Sequence, residues 1–201
     1  KIKVTAAEIG GGFGGKTTVY LEPLAIMLSR KAGRPVRMAM SREEVFRGSG
    51  PTSGAAMTIK IGATKDGRIT AGDATLYFQA GAYPGSPVGP ACMTAFTPYD
   101  VDNVRVVGYD VVSNRQKVVA YRAPGAPISE YAVESIVDEL ASELGIDPIE
   151  FRTKNAAKEG TKAAYGVTFG AIGMQETLDA AKATDHYKAP FPKDTGVQNY
   201  P

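Results

Sequence analysis

Five of the six residues from Gly10 to Gly15 are glycine, Phe13 being the exception, and no other feature restricts the folding of this chain as strongly. Such a run weakens any helix or strand drawn through it, but it takes positive φ readily and leaves backbone N–H groups open. Ahead of it, Ile2, Val4 and Ala6 alternate with polar neighbours, as in a strand from Ile2 to Ile9. Behind it, Leu21, Leu24, Ala25, Leu28 and Ala32 recur at helical spacing, Pro23 suits the first turn, and Gly33 with Pro35 ends the run. The pattern predicts strand, glycine loop and helix. Open N–H groups at a helix amino terminus form a cradle for an anion or an electron-rich cofactor, and a turn serving close packing alone is the plainer alternative.

Two nucleotide motifs fit the same glycines. Gly10, Gly15, Lys16 and Thr17 satisfy the phosphate-loop spacing, and Gly10, Gly12 and Gly15 satisfy the weaker dinucleotide pattern. The first requires an apolar strand ending in a magnesium-binding Asp, and Val106 to Asp110 is the nearest, poor candidate. The second requires an acidic residue after the next strand, where Val36 to Met40 is followed by Ser41 and Arg42.

Further along, Ser41 and Glu44 form a capping-box signature for a short helix. Met57, Ile59 and Ile61 alternate before the turn pair Asp66-Gly67, and a partner strand starts near Ile69, so an antiparallel ribbon is expected. Residues 81–98 are rich in Gly, Pro and Ser and read as a linker or as the lining of a site, while Val104 to Val112 is β-branched and strand-like. Ile128, Val133, Ile136, Val137, Leu140 and Leu144 mark one face of a long helix from about Pro127, and Asp147, Pro148 and Glu150 open another. These elements predict an α+β, mixed α/β fold: a strand–glycine loop–helix unit, an antiparallel β ribbon and a long C-terminal helix. Residues 1–180 read as one domain and 181–201 as a tail or the start of a continuation.

Composition narrows the chemistry. Lys and Arg number 23 against 21 Asp and Glu, with no long basic run, so no nucleic-acid surface is expected. One cysteine, Cys92, permits neither an internal disulfide nor a four-cysteine iron–sulfur cluster, and the single histidine, His186, leaves no zinc spacing. No stretch approaches the roughly 20 apolar residues that span a bilayer, so no membrane role is expected. The chain starts at Lys1 and enters a strand-like run at once, which reads as an internal piece of a longer protein with apolar surface left uncovered.

Two segments carry a family resemblance. Ile9 to Lys16, with GGGFGGK after a short strand, resembles the cofactor loop of the molybdenum hydroxylases of the xanthine dehydrogenase and aldehyde oxidase family. Val119 to Pro127, VAYRAPGAP, followed by Ala132-Val133-Glu134 and Asp138 to Ala141, resembles that family's second cofactor-contacting loop. Gly33 to Arg37, and Leu144 to Pro148 on to Asn155, also fit, so the likeness runs in order from about Val4 to about Leu178.

The resemblance implies a molybdenum held by a pterin dithiolene, with the cytosine dinucleotide as one candidate form, and hydroxylation of an electron-poor carbon with water-derived oxygen. Electrons would leave through iron–sulfur clusters and FAD on other domains or subunits, in a cytoplasmic protein assembled with the remaining segments of the molybdenum subunit. Gly11, Gly12, Phe13, Gly14, Arg122 and Ala123 would bind the cofactor, with the main-chain amides of Phe13 and Arg122 nearest the metal. For the Arg122 side chain, an ion pair or loop brace weighs equally with a direct contact. The family's catalytic glutamate falls outside this sequence, so no general base is assigned and the piece alone is expected to be inactive. Thr17 and Pro124 replace the glutamate and the aromatic ring of purine-oxidising members, which disfavours a purine and leaves an aldehyde, a nitrogen heterocycle or an aromatic thioester.

Several residues have plainer readings. Glu22, Glu43 and Glu44 are expected to cap helices. Tyr83 and Tyr99 are expected to pack, Tyr121 is a candidate for a substrate funnel, Met38, Met40 and Met57 are expected in the core, and His186 in solvent.

Overall fold

The computed structural model describes residues 3–5 and 7–189. Their elements, in chain order, are α1 (Glu22–Ala32), α2 (Arg42–Gly48), β1 (Ala55–Ala63), β2 (Ile69–Gly81), α3 (Val88–Thr94), β3 (Asn103–Val112), α4 (Ala126–Glu143), α5 (Pro148–Asn155), α6 (Met174–Ala183) and α7 (Asp185–Lys188). The helix ends follow their local signals. α1 carries proline in its first turn and stops at Gly33 with φ 62°. At α2 the Ser41 side chain and the Glu44 carboxylate cap each other's backbone N–H groups. Asp147 accepts from the N–H groups of Ile149 and Glu150 at the start of α5. Each such cap satisfies donors that a helix leaves open and is worth about 1 kcal/mol.

β1 and β2 are antiparallel, joined by a turn in which Gly67 has φ 86°. β3 then lies parallel to β2, giving the order β1-β2-β3. A parallel neighbour cannot be reached through a tight turn. The chain crosses over through residues 82–102, and α3 forms within this glycine- and proline-rich connection, where a linker or site lining was expected. Ala74, Leu76 and Phe78 of β2 point to one face and are buried. They pack with Val133, Val137 and Ala141 of α4, which recur every four residues, and with Phe151 of α5. Gly72 leaves room for Phe96, since a Cβ there would lie 2.8 Å from its ring.

Asn155 closes this core. Its Oδ1 accepts from the Ile69 N–H at 2.8 Å, and its Nδ2 donates to the carbonyls of Gly67 and Phe151, both at 2.8 Å. On the flank, Arg152 reaches Glu134 through Nε and Nη2 and Asp138 through Nη1, while the Tyr99 hydroxyl donates to Glu134 at 2.6 Å. Burial and the charge of Glu134 hold the Tyr99 phenol far above its ordinary pKa.

Three expectations need correction. Among the described residues, neither 3–5 and 7–9 ahead of the glycine loop nor Val36 to Met40 belongs to a ladder, and Ile2 and Ala6 of the first run lie outside them. Alternation marks residues able to form a strand, but only a hydrogen-bonded neighbour makes one. The 18-residue α4 is not C-terminal: after the expected α5 come α6 and α7, which no pattern announced. Tyr83 does not pack: it is 70% exposed, whereas Tyr99 is in the core. Met57 packs partly against the core, Met38 and Met40 are half-buried, and His186 is exposed.

Candidate functional site

The glycine segment folds into a tight, irregular turn. Gly11 has φ 114°, Phe13 φ 50° and Gly14 φ 95°. Gly15 N–H donates to Gly12 O at 2.8 Å, and the Thr17 hydroxyl donates to Gly14 O at 2.8 Å. Among the described residues, the N–H groups of Gly11, Gly12, Phe13 and Gly14 donate to no protein acceptor. Consecutive open amides in a turn with left-handed positions make a concavity that suits an anion or electron-rich group.

A phosphate loop would run directly into a helix, with its threonine hydroxyl on magnesium. Here α1 begins only at Glu22, the Thr17 hydroxyl is turned onto the loop's own carbonyl, and the Lys16 stem lies against Gly12. Asp110, the poor candidate for a magnesium ligand, is occupied with the backbone amides of Gly85 and Ser86.

The second loop meets the first. Arg122 N–H donates to Phe13 O at 2.7 Å. Ala123 has φ 51°, and Phe13 and Ala123 are the non-glycine residues with positive φ among those described. A left-handed conformation costs a residue with a Cβ roughly 1–2 kcal/mol, so strain is stored on either side of this one hydrogen bond. The loops also touch at Ala120, whose Cβ would lie 3.1 Å from a Cβ placed on Gly14. Phe13 and Tyr121 face each other with ring centroids 6.5 Å apart, and both are exposed.

The six residues expected to bind a cofactor therefore lie on two loops that come together, four on the first and two on the second. Their available donors differ from the expectation in one respect: the Phe13 amide is free, whereas the Arg122 amide is held by Phe13 O. On the second loop, among the described residues, the amides of Ala120, Tyr121, Ala123 and Gly125 donate to no protein acceptor. The Arg122 side chain is exposed and, among the described residues, forms neither an ion pair nor a hydrogen-bonded brace.

A third segment, not singled out by any motif, completes the surroundings. Residues 82–87 leave the end of β2 and approach residues 118–124, which return after β3. Asp110, near the end of β3, accepts from the Gly85 and Ser86 amides at 2.7 and 2.8 Å, and the Lys117 ammonium donates to Gly85 O at 2.8 Å. Ser86 and the Gly85 amide beside it hold the Asp110 carboxyl below the usual range. Gly125 must be glycine, because a Cβ would lie 2.2 Å from Pro87 O. In sequence, residues 81–98 read as a linker or as the lining of a site, and the approach of residues 85–87 to residues 118–125 depends on the parallel pairing of β2 and β3.

Two cavities flank residues 118–120. One, of about 490 Å³, opens toward Thr18, Tyr20 and Gln116. The other, of about 230 Å³, lies between Ser86, Pro87 and Pro90 on one side and Val119, Ala120 and Pro124 on the other. Among the described residues, no group of three or more His, Cys, Asp or Glu side chains is placed to hold a metal ion. What the loops offer is main-chain donors, the donor set for the oxygen or sulfur atoms of a bound cofactor. Glu44 caps α2 as expected, whereas Glu22 accepts from the Tyr20 amide without capping α1 and Glu43 pairs with Arg47 along α2. Cys92 is half-buried, which raises its thiol pKa. Among the described residues no helix is long and apolar enough to cross a membrane.

Comparison with known proteins gives a consistent result. A family described as the molybdopterin cofactor-binding domain matches residues 1–156. The large molybdopterin subunit of nicotinate dehydrogenase from Eubacterium barkeri is 37% identical over 188 residues, which are 90% of this chain and 44% of that protein. The aldehyde oxidoreductase of Megalodesulfovibrio gigas is 32% identical over 184 residues, covering 89% of this chain and 20% of the relative. Among solved structures, the aldehyde oxidoreductase of Desulfovibrio gigas superposes with a TM-score of 0.80 at 29% identity over 87% of this chain and 20% of its own. Quinoline 2-oxidoreductase of Pseudomonas putida 86 does so with 0.78 at 28% identity, over 87% and 24%. The chain thus spans less than half the length of these relatives.

Proposed function

The chain belongs to the molybdopterin cofactor-binding domain family, and from this premise we propose that it is the part of a molybdenum hydroxylase that holds the molybdenum–pterin cofactor between residues 10–17 and 119–125. The observation that carries the reading is the hydrogen bond from Arg122 N–H to Phe13 O, which unites two loops with free amides and strained backbones. The amides of Gly11, Gly12, Phe13, Gly14 and Ala123 would hold the cofactor, and Arg122 would secure the loops to each other. Phe13 and Arg122 are then the residues nearest the molybdenum centre. Bound there, the group would supply the redox chemistry that adds a water-derived oxygen to a carbon of the substrate.

The substrate we propose is an aldehyde or an aromatic heterocycle. Relatives named for nicotinate, quinoline and aldehydes support that choice, beside others named for xanthine and hypoxanthine. Thr17 and Pro124 stand where purine-oxidising members have a glutamate and an aromatic ring, which argues against a purine. Iron–sulfur clusters and FAD on other domains or subunits, the cytosine dinucleotide form of the pterin, a catalytic glutamate beyond this sequence and a cytoplasmic location complete the proposal.

The test is molybdenum and pterin content of the protein purified with its partner subunits, wild type against Gly14→Val. Valine at φ 95° and against Ala120 would push the two loops apart without reaching the core. The expected result is a wild type containing both components and a folded variant depleted of them. Full retention in the variant, or a wild type that lacks molybdenum and binds ATP with magnesium, would overturn the reading.

A further inference from the structure

Parallel strands direct the segments beyond their carboxyl ends toward a crevice, where ligands of open α/β sheets commonly bind. β2 and β3 form such a pair, and the segments leaving them, residues 82–87 and 113–125, border the cavity of about 230 Å³ lined by Ala120 and Pro124. Pro87, Pro90 and Pro124 are among its lining residues, with Val119 and Ala120, and no charged side chain lines it. Proline has a fixed φ and no long side chain to swing aside. The width of this cavity is therefore set by where the backbone of residues 82–87 is held, more than by side-chain rotation.

That backbone is held at one peptide from both sides. Asp110 accepts the amides of Gly85 and Ser86, and Lys117 donates to the carbonyl of Gly85. Gly85 has φ 106°, a conformation that alone would not hold the segment in place, since glycine has many alternatives. Asp110 lies in β3 and Lys117 five residues beyond its end, so one short stretch of chain supplies both contacts. Hydrogen bonds to charged groups are the stronger kind.

We propose that Asp110 and Lys117 are positioning residues for substrate selection, pinning the Gly85–Ser86 segment and so fixing the width of a neutral slot that admits slim, uncharged substrates. The proposal rests on the cofactor-binding reading above, because the slot matters for selection only if the reacting centre lies at the adjoining loops. Neither residue touches substrate. Their effect is carried by the wall they hold.

The experiment uses the complete enzyme with its partner subunits and compares wild type, Asp110→Ala and Lys117→Met. Three quantities are read: molybdenum content, amide hydrogen exchange across residues 82–87, and kcat and KM for a narrow and a wide uncharged aromatic aldehyde. Loss of two charge-assisted hydrogen bonds should accelerate exchange at Gly85 and Ser86 by about tenfold or more and leave the sheet unchanged. The preference for the narrow substrate should fall by about tenfold, mainly through KM, at unchanged molybdenum content; Lys117→Met should act in the same direction and serves alone if Asp110→Ala does not fold. Faster exchange with an unaltered preference, or no change in exchange, would overturn the proposal. A wild type without molybdenum would instead overturn the functional reading, and the exchange measurement distinguishes that failure from failure of the clamp.

Discussion

Phe13 O accepts the Arg122 N–H at 2.7 Å, and this bond joins segments more than a hundred residues apart where each departs from ordinary backbone geometry. One donor of the second loop is thereby spent on the first. A cofactor held here would meet a pair of loops already registered against each other, a form of preorganisation that keeps ordering entropy out of the binding step.

The strain at Ala123 predicts the result of Ala123→Gly. Relief of a left-handed conformation gains roughly 1–2 kcal/mol, against roughly 0.5–1 kcal/mol for the added freedom of the unfolded chain. A net stabilisation of about 0.5–1 kcal/mol, or roughly 1–4 °C in Tm for a domain of this size, is expected. Calorimetry checks it; a lower Tm would mean that the Ala123 methyl makes packing contacts worth more than the strain.

Asn155 is fully buried and forms three hydrogen bonds. Asn155→Ala leaves the Ile69 amide and the Gly67 carbonyl without a partner, while the Phe151 carbonyl keeps its helix bond, and each buried orphan costs about 1–3 kcal/mol. A loss of about 3 kcal/mol or more is expected in urea denaturation. A loss below about 1 kcal/mol would show that water replaces the amide.

Arg152 bridges two carboxylates with three nitrogens and is itself largely buried, at 16% side-chain exposure. Arg152→Met should destabilise by about 2–3 kcal/mol, because Glu134 would keep only the Tyr99 hydroxyl. Arg152→Lys should recover less than half of this, since one ammonium cannot reproduce the planar fork. Equal stability of the Arg152→Lys variant and the wild type in the same denaturation would rule out the fork as the stabilising element.

Glu130 supplies a pH signature. Burial, and then the charge of Glu134, push its carboxyl up to about 8. A carboxyl with a raised folded pKa binds a proton more tightly in the folded state, so stability falls as pH rises from about 4.5 toward about 8. The side chain is partly exposed, and solvent screening reduces the effect to about 1 kcal/mol. Glu130→Gln should therefore raise Tm at pH 8 by roughly 2–4 °C and flatten the slope across that window. An unchanged slope would exclude Glu130 as its source.

Elements whose information lies within a few residues were legible from the chain itself. The Ser41–Glu44 capping box, the Gly33 stop, the Asp66-Gly67 hairpin and the Asp147 cap each act over two to four positions, and all appear where the pattern put them. The glycine loop and the Arg122 segment were recognisable as a pair only through a family resemblance. Nothing in their local chemistry encodes a contact across a hundred residues.

What the amino-acid sequence determined by itself was thus the local punctuation, the apolar face of α4 and the glycines on which the first loop depends. Tertiary structure decided the rest. The parallel pairing of β2 and β3, which no turn signal can encode, brought residues 85–87 beside residues 118–125 and gave Asp110 and Lys117 a common peptide to hold. It also left the alternating residues 36–40 without a ladder, because a strand exists only when a neighbour accepts its hydrogen bonds.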